Sequence, residues 1–147
     1  MKLWPASTFL LALCAVAALA DESATQRAVI DASDKAALAE HMGKEVIIRG
    51  EVKEAAWSRS GKVMNISFKG AEESKLAAVI FEADRKAMDE AYAGDIGKAL
   101  TGAKVRIEGR LQEYGGRVEA LKGTPQIIIR RVTQITIVEP APATQPG

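Results

Sequence analysis

The sequence predicts an all-β domain, a small five-stranded barrel with accessory helices, and three observations carry that expectation. The first is a ten-residue pattern stated twice, as Gly43-Lys44-Glu45-Val46-Ile47-Ile48-Arg49-Gly50-Glu51-Val52 and as Gly102-Ala103-Lys104-Val105-Arg106-Ile107-Glu108-Gly109-Arg110-Leu111. In each copy a second glycine joins three apolar residues on one side of a strand: Val46, Ile48, Gly50 and Val52, then Val105, Ile107, Gly109 and Leu111. An inward glycine marks a sharp coil or a close backbone approach, as at a barrel corner. The second observation is a series of short alternating or apolar runs set off by turn residues. The third is that several short strands in a chain this size leave exposed edges unless the sheet closes.

Each element has its own signal. Residues 21–30 read as a polar leader. Ser33 is placed to cap a helix carrying Ala36, Ala37, Leu38 and Met42, ended by Gly43. A first strand covers about residues 44–56, and Trp57-Ser58-Arg59-Ser60-Gly61-Lys62 forms a polar loop. The second strand, 63–69, alternates, with Met64, Ile66 and Phe68 on one side and Asn65, Ser67 and Lys69 on the other. Residues 70–75 make a turn, and the near-continuous apolar run 76–81 reads as a buried central strand. Asp84 is placed to cap a helix carrying Ala87, Met88, Ala91 and Tyr92, broken at Gly94. The second glycine copy supplies the fourth strand, and Tyr114-Gly115-Gly116-Arg117 reads as a Gly-Gly hairpin. After Thr124-Pro125 the last strand covers 126–138, kinked near Arg130-Arg131. The order strand, strand, strand, helix, strand, strand is that of an OB-fold, a five-stranded Greek-key barrel, here with an extra N-terminal helix and spanning 31–139.

The two ends read differently. Lys2, the apolar run 9–19 and Ala18-Leu19-Ala20 before Asp21 make residues 1–20 a signal peptide, so the protein is expected to be exported, to the periplasm or the extracellular space. Leu13 ahead of Cys14 argues against lipidation, and no stable membrane insertion is expected after cleavage. Removing residues 1–20 from 147 leaves 127 with no cysteine, which excludes disulfides, thiolate catalysis and cysteine-ligated zinc. It also removes Lys2, so Lys+Arg falls from 20 to 19 against Asp+Glu at 19. A neutral chain needs a local basic patch to hold nucleic acid. Residues 140–147, with three prolines, read as a disordered tail.

Val63-Met64-Asn65-Ile66-Ser67-Phe68, Ala77-Ala78-Val79-Ile80-Phe81 and the run Gly109 to Arg117 resemble the second strand, third strand and Gly-x-apolar-x-x-Tyr-x-Gly-Arg hairpin of a bacterial OB domain family. Pro125-Gln126-Ile127-Ile128 and Gln134-Ile135 are similar to its closing strand. The family is that of nucleic-acid-binding OB domains attached to exported nucleases, related more distantly to tRNA anticodon-binding and exonuclease domains. The resemblance implies the OB-fold and, less specifically, a nucleic-acid ligand. Gly70-Ala71-Glu72-Glu73-Ser74 departs from it, being small and acidic where the family is aromatic or proline-bearing, and the chain holds no nuclease domain. A second resemblance is to periplasmic OB-fold stress-tolerance proteins, which share the signal peptide and the single-domain size.

No enzymatic motif emerges, and no cofactor or metal is implied. His41 is the only histidine and reads as a packing group on its helix. Glu72-Glu73 and Asp89-Glu90 are neighbours that face solvent rather than converge, and the glycines at 43, 50, 102 and 109 are strand punctuation rather than a phosphate loop. Binding is therefore expected, on the face of the second and third strands and its flanking loops. Trp57 with Arg59 and Lys62 offers a stacking plane and two cations for single-stranded nucleic acid; Asn65, Lys69, Tyr114, Arg130 and Arg131 extend the track. Two structural readings stand beside it. Trp57 and Tyr114 are two of only five aromatics left to fill a barrel, and Arg130-Arg131 suits an edge strand guarded against pairing. The expected partner is a single strand or oligonucleotide; the alternative is an envelope protein or small cationic ligand. The sequence specifies no oligomeric state.

Overall fold

The two glycine-patterned segments pair with each other. In the computed structural model, which describes residues 27–142, they lie antiparallel with Val46 opposite Gly109, Ile48 opposite Ile107 and Gly50 opposite Val105. Each inward glycine thus sits across from the first valine of the other copy, about a local twofold through Ile48 and Ile107. The symmetry extends to the strand ends. Gly43 N–H donates to Leu111 O at 2.6 Å and Gly102 N–H to Val52 O at 2.9 Å, both glycines having φ of +86°. Return bonds run from Leu111 N–H to Lys44 O and from Val52 N–H to Ala103 O.

In chain order the elements are β1 (Ala28–Asp31), α1 (Lys35–Glu40), β2 (Glu45–Trp57), β3 (Val63–Phe68), β4 (Ala77–Phe81), α2 (Arg85–Ala91), α3 (Ile96–Leu100), β5 (Lys104–Glu113), β6 (Pro125–Ile129) and β7 (Ile135–Glu139). Five of them close a barrel in the order β2-β3-β4-β6-β5 and back to β2, with β4 and β6 parallel and the other pairs antiparallel. This is the predicted OB-fold. Long strands β2 and β5 each serve two neighbours. The register of β2 shifts between Val52 and Glu54, where it leaves β5 for β3, and β5 turns from β2 and β7 to β6 at Leu111.

Inward side chains follow the predicted alternation. Val46, Ile48, Val52, Met64, Ile66, Phe68, Val105, Ile107 and Leu111 are buried, joined by Ala78, Ile80, Ile127 and Ile129. Leu38 of α1, Met88 of α2 and Ile96 and Leu100 of α3 complete the core. An ideal Cβ on Gly50 would lie 3.1 Å from both Ala32 Cβ and Phe68 Cδ1, and one on Gly109 would lie 3.1 Å from Ile127 Cδ1 and from Gln134 Nε2. The close approach expected of both glycines is present.

Several boundaries differ from those expected. The leader is strand from Ala28 onward: β1 pairs parallel with β2, Ala28 opposite Val46 through Asp31 opposite Arg49, and buries Ile30. Its four residues are too few for a period to register in the sequence. Asp34, not Ser33, caps α1, its carboxylate accepting Ala37 N–H at 3.1 Å. Asp84 makes no side-chain cap; a 3-10 turn over Glu82–Asp84 leads into α2 instead. Beyond the break at Gly94 a second short helix, α3, is capped by Asp95 and joined to α2 by Asp89, which accepts Ile96 N–H at 3.0 Å. No two-residue hairpin forms at Gly115-Gly116, since Tyr114 N–H donates to Thr124 O and the connection carries its own turn at Glu119–Leu121. The predicted last strand is two strands, and the kink near Arg130-Arg131 is a 3-10 corner over Val132–Gln134. The predicted signal peptide, residues 21–26 of the leader and residues 143–147 of the tail lie outside the described residues. Among those described, no helix is long and apolar enough to cross a membrane.

Gly50→Ala and Gly109→Ala each overpack a closed interior and are expected to cost about 1–3 kcal/mol. Thermal unfolding reads this as a melting temperature several degrees lower, and an unchanged midpoint in both variants refutes the close approach. Burial holds the Tyr92 phenol above its ordinary ionisation range. The folded state therefore favours the protonated phenol, and this contribution is complete below the unfolded value near 10 and lost as pH rises through the folded one. Tyr92→Phe is expected to unfold less steeply than the parent above about pH 10, read by denaturant titration at a series of pH values.

Candidate functional site

The outward face of β3, β4, β6 and β5 is built by register. Asn65 stands opposite Val79 and Val79 opposite Ile128; one row along, Ala77 stands beside Gln126 and Gln126 opposite Gln112. Val63 and Phe81 make a third row. Because Met64, Ile66 and Ile80 point inward, their neighbours in the strands point here. The β5–β6 connection raises a wall along this face from Tyr114, Val118 and Leu121, and between them lies an open groove of about 500 Å³. Tyr114 is fixed by its hydroxyl, which accepts Val118 N–H at 3.3 Å. Phe81, Val118 and Leu121 are 38%, 52% and 41% exposed, three of the five exposed large apolar side chains among the described residues. The groove therefore combines apolar and aromatic walls with three amide side chains, Asn65, Gln112 and Gln126, and no charged side chain lines it.

A second hollow, also about 500 Å³, adjoins the groove at Ile128, which lines both. Its walls carry Arg27, Arg110, Arg130 and Arg131 together with Glu45 and Glu108. Arg27 Nη1 donates to Glu108 Oε1 at 2.8 Å, and Arg110 Nε donates to Gly43 O at 3.0 Å. Gln134 organises the corner. Its Oε1 accepts the amide protons of Arg130 and Arg131 at 2.8 and 2.9 Å, and its Nε2 donates to Glu108 O and Ile128 O at 2.9 and 3.2 Å. The amide is satisfied at four points and ties β5, β6 and the corner together.

The predicted site residues are thus divided. Asn65 and Tyr114 share the groove, and Arg130 and Arg131 share the hollow. Trp57 ends β2 opposite Met64 and packs against the core, with the Arg85 guanidinium 4.5 Å from its ring centroid. One face of its ring is already taken by a cation. Arg59 and Lys62 are exposed in the adjoining loop, outside both hollows. Lys69 pairs with Glu51, and that bond holds the Glu51 carboxyl below its ordinary range. Arg130-Arg131 lies between β6 and β7 rather than on a strand edge, so the edge-guarding reading fails. Phe81, Gln112, Gln126, Arg110 and Gln134 went unmarked in the sequence. The alternation around Leu111 gave the side of Gln112, whereas the apolar run ending at Phe81 gave no side at all.

Elsewhere several ionisable groups have local partners. His41 Nδ1 donates to Ala37 O at 2.8 Å, Asp89 holds Arg85 and the start of α3, and Glu72 faces Lys53 at 3.9 Å. Among the described residues no three His, Cys, Asp or Glu side chains gather as a metal site would require.

No family model matches the sequence, and no curated protein matches it significantly. In structure the chain is similar to a protein assigned as an aspartyl-tRNA synthetase from Leishmania major Friedlin, with a TM-score of 0.55 and 18% identity over 89% of this chain and 27% of that one. It is similar also to the aspartyl-tRNA synthetase of Entamoeba histolytica, with a TM-score of 0.52 and 13% identity over 99% of this chain and 28% of that one. The chain spans little more than a quarter of the length of either synthetase. At such identities the likeness is one of fold.

Replacing Gln134 with alanine removes all four of its hydrogen bonds. The expected result is faster amide exchange at Arg130 and Arg131 and a loss of about 1–3 kcal/mol. Unaltered exchange at both amides refutes the role given to Gln134.

Proposed function

We propose that the protein is an exported, non-enzymatic OB-fold binding protein for single-stranded nucleic acid or a short oligonucleotide, held along the groove on β3, β4, β6 and β5. The observation that carries this reading is the chemistry of the groove. Tyr114 and Phe81 offer rings on which bases stack, and Asn65, Gln112 and Gln126 offer amides that both donate to and accept from base edges. Stacking is tolerant of sequence because every base has a π-face. The fold supports the reading, since OB barrels bind oligonucleotides on this face, and so do the names of the structurally similar synthetases, proteins that act on tRNA. Export rests on the features of residues 1–20.

This reading moves the ligand away from Trp57. A ring already stacked by Arg85 has less to offer a base than the phenol and phenyl rings of the groove. A protein partner is the second reading, favoured by the exposure of Phe81, Val118 and Leu121 together. The small cationic ligand expected as an alternative is disfavoured, because no carboxylate lines the groove.

Fluorescence anisotropy with labelled eight-nucleotide single strands at low salt decides the question. Binding is expected in the micromolar range. Tyr114→Ala and Phe81→Ala should each weaken it about 5- to 150-fold, as a lost stack of about 1–3 kcal/mol requires, while Trp57→Phe leaves it unchanged. No anisotropy change at high micromolar protein overturns the reading. Equal binding by parent and both groove variants relocates the site.

A further inference from the structure

We infer that the arginine-lined hollow beside the groove is a binding site for a phosphate group. Four arginines line it from three separate parts of the chain: Arg27 ahead of β1, Arg110 on β5, and Arg130 and Arg131 at the corner between β6 and β7. Two carboxylates share the space. Glu108 is committed to Arg27 at 2.8 Å, and Glu45 stands opposite Arg110 in the β2–β5 ladder. Four positive charges against two negative leave the hollow net positive in a chain whose formal charge is only +1.

The four side chains are exposed, with Arg27 and Arg110 each anchored by one hydrogen bond and the corner beneath Arg130 and Arg131 fixed through its backbone. Arg110 uses Nε on Gly43 O, which leaves both of its terminal nitrogens as donors. Gln134 fixes the backbone under Arg130 and Arg131, and Gly109, lacking a side chain, lets the Gln134 amide approach the wall. Charged strand edges are a usual reason for adjacent arginines, but these two belong to no strand and lead into the 3-10 turn over Val132–Gln134. Planar guanidinium forks match phosphate oxygens two at a time, so phosphate is the anion this geometry suits. Like charges held close together without that partner repel one another.

The hollow stands as a site whether or not the groove holds bases. Where the groove reading holds as well, Ile128 connects the two, and a strand whose bases stack on Tyr114 and Phe81 places a backbone phosphate among the arginines. Inorganic pyrophosphate is the probe. Titration followed by NMR should shift the Nε–H signals of Arg110, Arg130 and Arg131. The doubly substituted Arg130→Gln, Arg131→Gln protein should bind pyrophosphate at least tenfold more weakly, while Arg59→Gln, Arg117→Gln, which removes two exposed arginines outside the hollow, binds as the parent does. Melting curves and amide spectra matching the parent establish that the exposed substitutions leave the fold intact. Displacement of the labelled oligonucleotide by pyrophosphate identifies the strand's own phosphate as the occupant; binding without displacement identifies a separate phosphate ligand. Pyrophosphate that shifts none of the three arginine signals, or that binds the Arg130/Arg131 variant as tightly as the parent, overturns the inference. The groove reading then survives if the oligonucleotide still binds and fails if it does not.

Discussion

Everything else in this protein is arranged around the pairing of β2 with β5. Each strand must coil tightly enough to leave one partner and join another within its own length, and each does so with an inward glycine placed opposite the other's valine. A Cβ at Gly50 would press on the Phe68 ring and Ala32; a Cβ at Gly109 would press on Ile127. The first relieves the junction of β2 with β3 and the second the junction of β5 with β6. The repeated pattern is therefore one geometric requirement met at two related corners of a single barrel, and the twofold through Ile48 and Ile107 is its visible form. What differs between the copies is outward, Ile47-Arg49-Glu51 against Arg106-Glu108-Arg110, and the barrel's closure does not constrain its charge.

The consequences of Gly109 reach the outer surface. The space left by its absent side chain is occupied by the Gln134 amide, and that amide holds the backbone of Arg130 and Arg131. A glycine that serves the scaffold in one direction thus builds the wall of a hollow in the other. Part of the surface charge elsewhere is arranged in partnered pairs: Asp31 with Arg49, Glu51 with Lys69, Lys104 with Glu139 and Lys53 with Glu72, all at least partly exposed. Such pairs contribute little to stability, roughly 0–1 kcal/mol each, but they cancel charge locally. Near-neutrality overall is for that reason compatible with an uncharged groove and a positive hollow side by side.

Much of this was legible in the sequence, and the failures have a common cause. The strand order, the inward sides of β2, β3 and β5 and the kink at Arg130-Arg131 all follow from periods that repeat within one segment. Asn65 and Tyr114 line one groove, because alternation and turn position fix their sides. Trp57 lies outside that groove, and the cation over its ring, Arg85, comes from a helix after two further strands, while the nearby Arg59 and Lys62 stay in the loop. β1 escaped because four residues are too few to show a period and its partner is a remote parallel strand. α3 escaped because five residues after a glycine break look like the tail of one helix rather than the start of another. Val79 and Phe81 reach the groove through the register of β4 against β3 and β6, and a run apolar on both faces hides that register.

The same reasoning separates what topology demands at the arginine corner from what it leaves free. β6 pairs with β5 over only three residues, Leu111 to Glu113, because the earlier part of β5 is already paired with β2 and β7. The chain must therefore leave β6 after Ile129, turn, and rejoin β5 at Ile135. That turn needs a residue able to cap two backbone amides and to satisfy two carbonyls, which Gln134 does. Nothing in the turn needs cations at 130 and 131: their amides are bonded through the backbone, so any side chain would serve. Their charge is unconstrained by the fold and sits beside Arg110 and Arg27, where Glu45 and Glu108 offset only part of it. A surplus of positive charge that the scaffold does not require is the feature from which the phosphate site is inferred.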